Sequence, residues 1–147
     1  MDLPSNAIYD LDYCFIGAIK YNFLQETNQD LLDLKALLPS LVQSHNTTLN
    51  GNGLPQKNST ISAAGAFEFL ASQVAAIPLI ESLHEKMKAQ NIWIWKKGAI
   101  EAHIGITSKN EIAWAKFKND VIADGLAQTC NDCQGLLDLV EWLRNDT

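Results

Sequence analysis

The sequence predicts a helix-rich α/β domain built on a partial parallel sheet whose N-terminal strands are missing or supplied by a partner. Three observations lead to that class. Two short runs, Ala7-Ile8-Tyr9 and Ile92-Trp93-Ile94-Trp95, have the β-branched and aromatic composition of strands. About eighty residues of mostly helical pattern lie between them. Two strands alone make an unstable sheet, so the chain reads as part of a larger α/β architecture.

The first strand ends in Asp10-Leu11-Asp12. If strand alternation continues through it, Asp10 and Asp12 share one face while Leu11 turns into the core. Cys14 to Leu24 is densely apolar and is expected to form a buried loop or short helix. Asp30 to Gln43 reads as an amphipathic helix with Leu31, Leu34, Leu38 and Leu41 on one stripe, and Pro39 marks a kink or break in it. The Asn-, Thr- and Gly-rich stretch from Ser44 to Ser62 reads as a long loop, without the glycine and lysine spacing of a phosphate-binding P-loop.

Ser62 is placed to cap a helix from Ala63 to Ala76, and Pro78 to open another through Leu83 and Met87. Ile92 to Trp95 is apolar on both faces, as an interior strand covered by helices would be. Lys96-Lys97-Gly98 then turns the chain into a short segment from Ala99 to Ile104. Ser108 is expected to cap a helix that ends before Gly125, and Leu136 to Leu143 forms a last amphipathic helix with Trp142 facing inward.

Composition bounds the function. The 147 residues are 47% hydrophobic and 19% charged, an ordinary globular balance sufficient for one domain with a core. A net charge of −6 argues against a self-sufficient nucleic-acid binder, which would carry a basic patch. It leaves room for an enzyme that meets phosphates through a bound metal. No apolar run has membrane-spanning length, and the acidic start Met1-Asp2-Leu3-Pro4 lacks signal-peptide character, so a cytoplasmic location without membrane contact is expected.

Cys14, Cys130 and Cys133 do not suggest a disulfide framework. The lone Cys130-Asn131-Asp132-Cys133 motif has no second pair for zinc and reads as two free thiols near a helix start. His45, His84 and His103 show no metal-cluster spacing.

The chemistry rests on two carboxylates at one strand end. They repel each other unless a proton or cation is shared, and a hard divalent cation is the usual remedy. In α/β sheets, ligands gather at the carboxyl ends of strands. If the two strands are parallel neighbours, Asp10, Asp12, Lys97 and Glu101 converge on one edge, a set suited to phosphoryl transfer.

An apolar strand ending Asp10-Leu11-Asp12, a helical insert, and then Ile92-Trp93-Ile94-Trp95 leading to Lys97-Gly98-Ala99-Ile100-Glu101 together resemble the Toprim nuclease domain. The pattern is most similar to the C-terminal part of the overcoming-lysogenization-defect (OLD) family of ATP-dependent endonucleases. The resemblance spans roughly residues 6–105, with motifs on about fifteen of them. It implies a partial Toprim-like, Rossmann-like parallel sheet in a single domain over residues 1–147, with a helical insert at about 25–91.

It further implies Asp10 and Asp12 as ligands of Mg²⁺ or Mn²⁺, Lys97 as a transition-state stabiliser and Glu101 near the site. The activity implied is two-metal cleavage of DNA phosphodiesters. The family also carries a catalytic glutamate after an earlier strand and an ATPase module, and neither is found before residue 6. The expectation is therefore a C-terminal piece, inactive alone and completed by an ATPase and N-terminal Toprim portion in the same or a neighbouring chain, with homodimerisation allowed.

Two other readings stand beside it. Haloacid-dehalogenase-like phosphatases also open on a strand ending Asp-x-Asp, which gives Asp10 a nucleophilic and Asp12 an acid/base role. Cys14 departs from the Thr or Val usual there, and Asp120 and Asp124 are helically spaced and do not form a strand-end metal pair. The third reading is a non-catalytic interaction module whose incomplete sheet docks onto a partner.

Overall fold

The computed structural model describes residues 5–145, and its internal contacts gather into two compact units, one ending at Ala99 and one starting at Ile100. No single helix among the described residues is long and apolar enough to cross a membrane.

The first unit contains the α/β part. Strand β1 (Ala7–Tyr9) leads into a 3-10 helix (Leu11–Phe15) and the short α1 (Gly17–Lys20). Helix α2 (Gln29–Ser44) starts where the Asn28 side chain accepts the Leu31 N–H at 3.1 Å. Its predicted leucine stripe is fully buried. The expected break at Pro39 does not occur. The helix gives up one backbone bond there, while Leu38 and Leu41 on either side are anchored in the core and hold the last turn.

The stretch expected as a plain loop contains a small antiparallel pair, β2 (Thr48–Leu49) with β3 (Pro55–Gln56). Asparagine side chains organise it by standing in for backbone partners. Asn50 Oδ1 accepts the N–H groups of Asn52 and Leu54, while Asn58 Oδ1 accepts those of Thr60 and Ile61.

Helix α3 (Ala63–Ser72) is capped by Ser62, whose Oγ accepts the Gly65 N–H at 3.0 Å. It stops before the expected Ala76 because Gln73 is extended. Helix α4 (Ile77–Lys88) carries Pro78 in its first turn, where the missing N–H costs nothing. Asn91, at φ 60°, reverses the chain into β4 (Ile92–Ile94).

β4 pairs with β1 in parallel, in the register Ala7↔Ile92, Ile8↔Trp93 and Tyr9↔Ile94. One core joins Leu11, Cys14 and Phe15 of the 3-10 helix, the α2 leucines, Phe67 and Leu70 of α3, Ile80, Leu83 and Met87 of α4, and Ile92 and Ile94. A polar tie supplements it, since the Asp30 carboxylate accepts from Ser82 Oγ and Lys86 Nζ, each at 2.7 Å. Those bonds, the lysine's first, hold the Asp30 carboxyl below its ordinary pKa.

The second unit is helical, with α5 (Ile100–Ile104), α6 (Glu111–Asp124), α7 (Leu126–Thr129) and α8 (Cys133–Asn145). The N-cap of α6 is Asn110, not Ser108. Asn110 Oδ1 accepts the Ala113 N–H at 2.9 Å, and Ser108 accepts a bond from the Asn110 amide. Gly125, at φ 83°, ends α6 as expected. Helix α8 starts three residues before Leu136 because Asp132 Oδ1 accepts the Gly135 N–H, and Trp142 on this helix is buried.

Candidate functional site

Parallel pairing brings the ends of β1 and β4 to the same edge of the sheet. The ladder closes with Trp95 N–H donating to Tyr9 O at 3.0 Å. Beyond it, the two connecting turns meet through the Leu11 N–H, which donates to Gly98 O at 2.8 Å. The Asp10-Leu11-Asp12 turn and the Lys97-Gly98 turn are thus joined by the backbone itself.

Glycine is required in the second turn. Gly98 has φ 102°, and a Cβ there would lie 3.0 Å from the Glu68 backbone of α3. Lys97 beside it is exposed.

The carboxylates are not arranged as strand alternation predicts. The strand stops at Tyr9, and Asp10 is the extended residue before the 3-10 helix, with Asp12 in that helix's first turn. The period is therefore no longer two, and the argument that both side chains share a strand face fails. Leu11 does enter the core, fully buried. Asp10 is half-buried and Asp12 exposed. The Cys14 thiol, buried behind them, is pushed up to about 12, chiefly by burial and then by the Asp12 charge, so it stays protonated and unreactive.

Asp10, Asp12 and Lys97 belong to the first unit, whereas Glu101 lies on α5 in the second. Glu101 is buried, with Oε2 3.4 Å from Lys109 Nζ. Among the described residues, no three or more His, Cys, Asp or Glu side chains are grouped so as to hold a metal ion. In number and donor type alone, two aspartates match the one or two carboxylates that Mg²⁺ takes alongside waters and phosphate oxygens.

The two edges of the sheet differ. On the β4 side, the His84 imidazole of α4, only 2% exposed, bonds through Nδ1 to Ile94 O at 2.9 Å. That carbonyl makes Nδ1 the donor. Burial, first of all, lowers the His84 pKa below its ordinary 6.5. On the β1 side, Ala7 and Tyr9 spend their backbone groups on β4, so parallel geometry turns the Ile8 N–H and C=O outward. Ile8 is 43% exposed. A groove of about 400 Å³ beside this strand is lined by Ser5, Ala7, Tyr9, Tyr13 and Phe23 among others, with the two tyrosine rings stacked 3.8 Å apart.

Sequence reasoning also missed a second cluster. Cys130 and Cys133, expected as free thiols, form a disulfide. His103, which has no metal-cluster spacing in the sequence, is buried with Nδ1 2.6 Å from Asp132 Oδ2. The available signal was Asp132, a capping residue type three positions before Gly135 and inside the cysteine motif.

No protein-family model matches the chain, no curated protein matches it, and no solved structure matches it.

Proposed function

We propose that the first unit carries half of a divalent-metal, phosphodiester-cleaving site of the Toprim kind, and that the chain is a partial nuclease module, inactive alone. The observation supporting this most directly is the Leu11 N–H to Gly98 O bond. It holds the aspartate turn beside the lysine turn at the carboxyl end of parallel strands, where α/β sheets bind ligands. Asp10 and Asp12 hold Mg²⁺ or Mn²⁺, with waters and phosphate oxygens completing the shell. Bound there, the cation neutralises phosphate charge and activates water.

Lys97 adds a fixed positive charge for the phosphate at the same edge. Glu101, on α5 of the second unit, is buried and paired with Lys109 and is left out of this half-site. A further carboxylate and the ATPase come from the same or a neighbouring polypeptide, and DNA is met only by the completed nuclease.

Calorimetric titration of Mn²⁺ into the purified chain tests this. The expected result is a weak site, on the order of millimolar, lost in Asp10→Ala, with plasmid left uncut by the chain alone. Equal Mn²⁺ binding by both proteins refutes the metal role, and metal-dependent plasmid cleavage refutes the incompleteness.

Among the described residues no strand pairs with the outer edge of β1, which favours a second reading, a non-catalytic module that accepts a partner strand. Ile8→Lys then abolishes association with the partner polypeptide while Mn²⁺ titration of either protein shows no site.

A further inference from the structure

We infer that Cys130 and Cys133 form a redox-active dithiol–disulfide couple that exchanges with low-molecular-weight thiols and is held ready to close by a clamp between Asp132 and His103. The site lies within the second unit and is independent of the metal reading.

Four observations lead to it. The disulfide spans a sequence separation of only 3. The stabilisation a disulfide gains by restricting the unfolded chain grows with loop length, so this one is poorly placed as a staple. Its position is instead chemical: Cys133 is the first residue of α8, a thirteen-residue helix, and the positive end of a helix favours the thiolate that exchange requires. Both cysteines are half-buried and Asn131 between them is exposed, so an attacking thiol has access.

The clamp is the fourth observation and is independent of the other three. Asp132 N–H donates to His103 O at 2.8 Å. Its Oδ2 lies 2.6 Å from the buried His103 Nδ1, and its Oδ1 accepts the Gly135 N–H at 3.2 Å. Asp132, one of the two residues between the cysteines, is therefore fixed to α5 and to α8 at once. None of these bonds uses a sulfur atom, so they persist when the disulfide opens. The reduced form is also accommodated, since the Leu126 and Cys130 carbonyl oxygens lie 3.2 and 3.7 Å from Cys133 Sγ and can accept from a thiol.

A thiolate of the external thiol attacks one sulfur, forming a mixed disulfide and releasing the other cysteine as a thiolate, which takes a proton. A second external thiol attacks the mixed disulfide and frees the remaining cysteine. In total, two electrons and two protons reduce the protein disulfide while two external thiols become one external disulfide. The reverse sequence closes it, and the clamp raises the effective concentration of one cysteine at the other.

The test equilibrates the full chain in glutathione buffers of graded ratio, quenches with acid and counts thiols by mass tagging. The expected result is two thiols that appear and vanish together and reversibly, with Cys14 a thiol throughout. Asp132→Ala and His103→Gln shift the midpoint toward the dithiol by about tenfold. Asp132→Asn is the gentler variant should either fail to fold, and it shifts the midpoint in the same direction by less. Cys130→Ser leaves Cys133 to capture one glutathione.

A cysteine pair that stays fully oxidised or fully reduced at every ratio overturns the inference. So does stoichiometric zinc on the purified dithiol, or a midpoint unmoved in every folded clamp variant.

Discussion

Within the first unit, cohesion is spread over many apolar side chains. Leucines of α2 meet residues of α3, α4, β4 and the 3-10 helix in one buried cluster. The second unit is built differently. Helix α6 buries none of its side chains and leaves Ile112 and Ile122 82% and 73% exposed. Directional ties among its described residues include the Asp132–His103 clamp, the Asn110 cap and the Lys109–Glu101 ion pair, beside the buried Ile104 and Trp142. Burial is non-directional and shared, so no single contact defines the first unit. Hydrogen bonds are directional and few, so the second unit concentrates its order in a handful of residues.

The contrast is most severely tested in the apolar core. Leu34→Ala removes a fully buried side chain from the centre of the α2 stripe and is expected to cost about 2–5 kcal/mol. Urea unfolding measures the loss. Amide exchange locates it, with α2, α4 and β4 losing protection most. A loss confined to the second unit would break the distinction.

A smaller effect is expected from Asp132→Ala, which deletes a helix cap and strips His103 of its carboxylate. The cost is about 1–2 kcal/mol. Exchange should quicken in α5 and the first turn of α8, leaving the α2 amides unchanged. Equal acceleration in α2 would show that the two units share one cooperative core.

The smallest effect concerns His84 and pH. Its pKa is lowered in the folded protein, so both folded and unfolded forms are neutral above about 6.5. As pH falls below that value, the unfolded chain takes up a proton that the buried imidazole resists, and stability is lost down to the lowered folded value. Urea midpoints measured between pH 8 and 5 should fall in the native protein and fall less in His84→Gln. Identical slopes would remove His84 as the cause.

Much of the first unit was legible because its signals are local. The Leu31, Leu34, Leu38 and Leu41 spacing, Ser62 as cap, Pro78 in a first turn and the apolar Ile92-Trp93-Ile94 run each specify their element through neighbouring residues. Pro39 does not break α2 because core anchoring outweighs one missing backbone bond. The Asn-rich segment misled because Asn50 and Asn58 fold it with their own amides, a role that composition does not distinguish from solvated loop.

At the candidate site, Asp10, Asp12, Lys97 and Gly98 were recognisable by type and order, but their geometry was not. Strand alternation ended one residue before the aspartates, where the chain turned into a 3-10 helix.

The sequence by itself determined a helix-rich α/β chain and where the apolar strands and most helices fall, because periodicity and capping act over a few residues. Only the tertiary structure decided that β1 and β4 are parallel neighbours joined through Leu11 and Gly98, that His84 closes one edge of the sheet, and that Asp132 reaches back to His103 across 29 residues. Those pairings bring together segments distant in sequence, and their energy depends on atoms meeting in space rather than on local propensity.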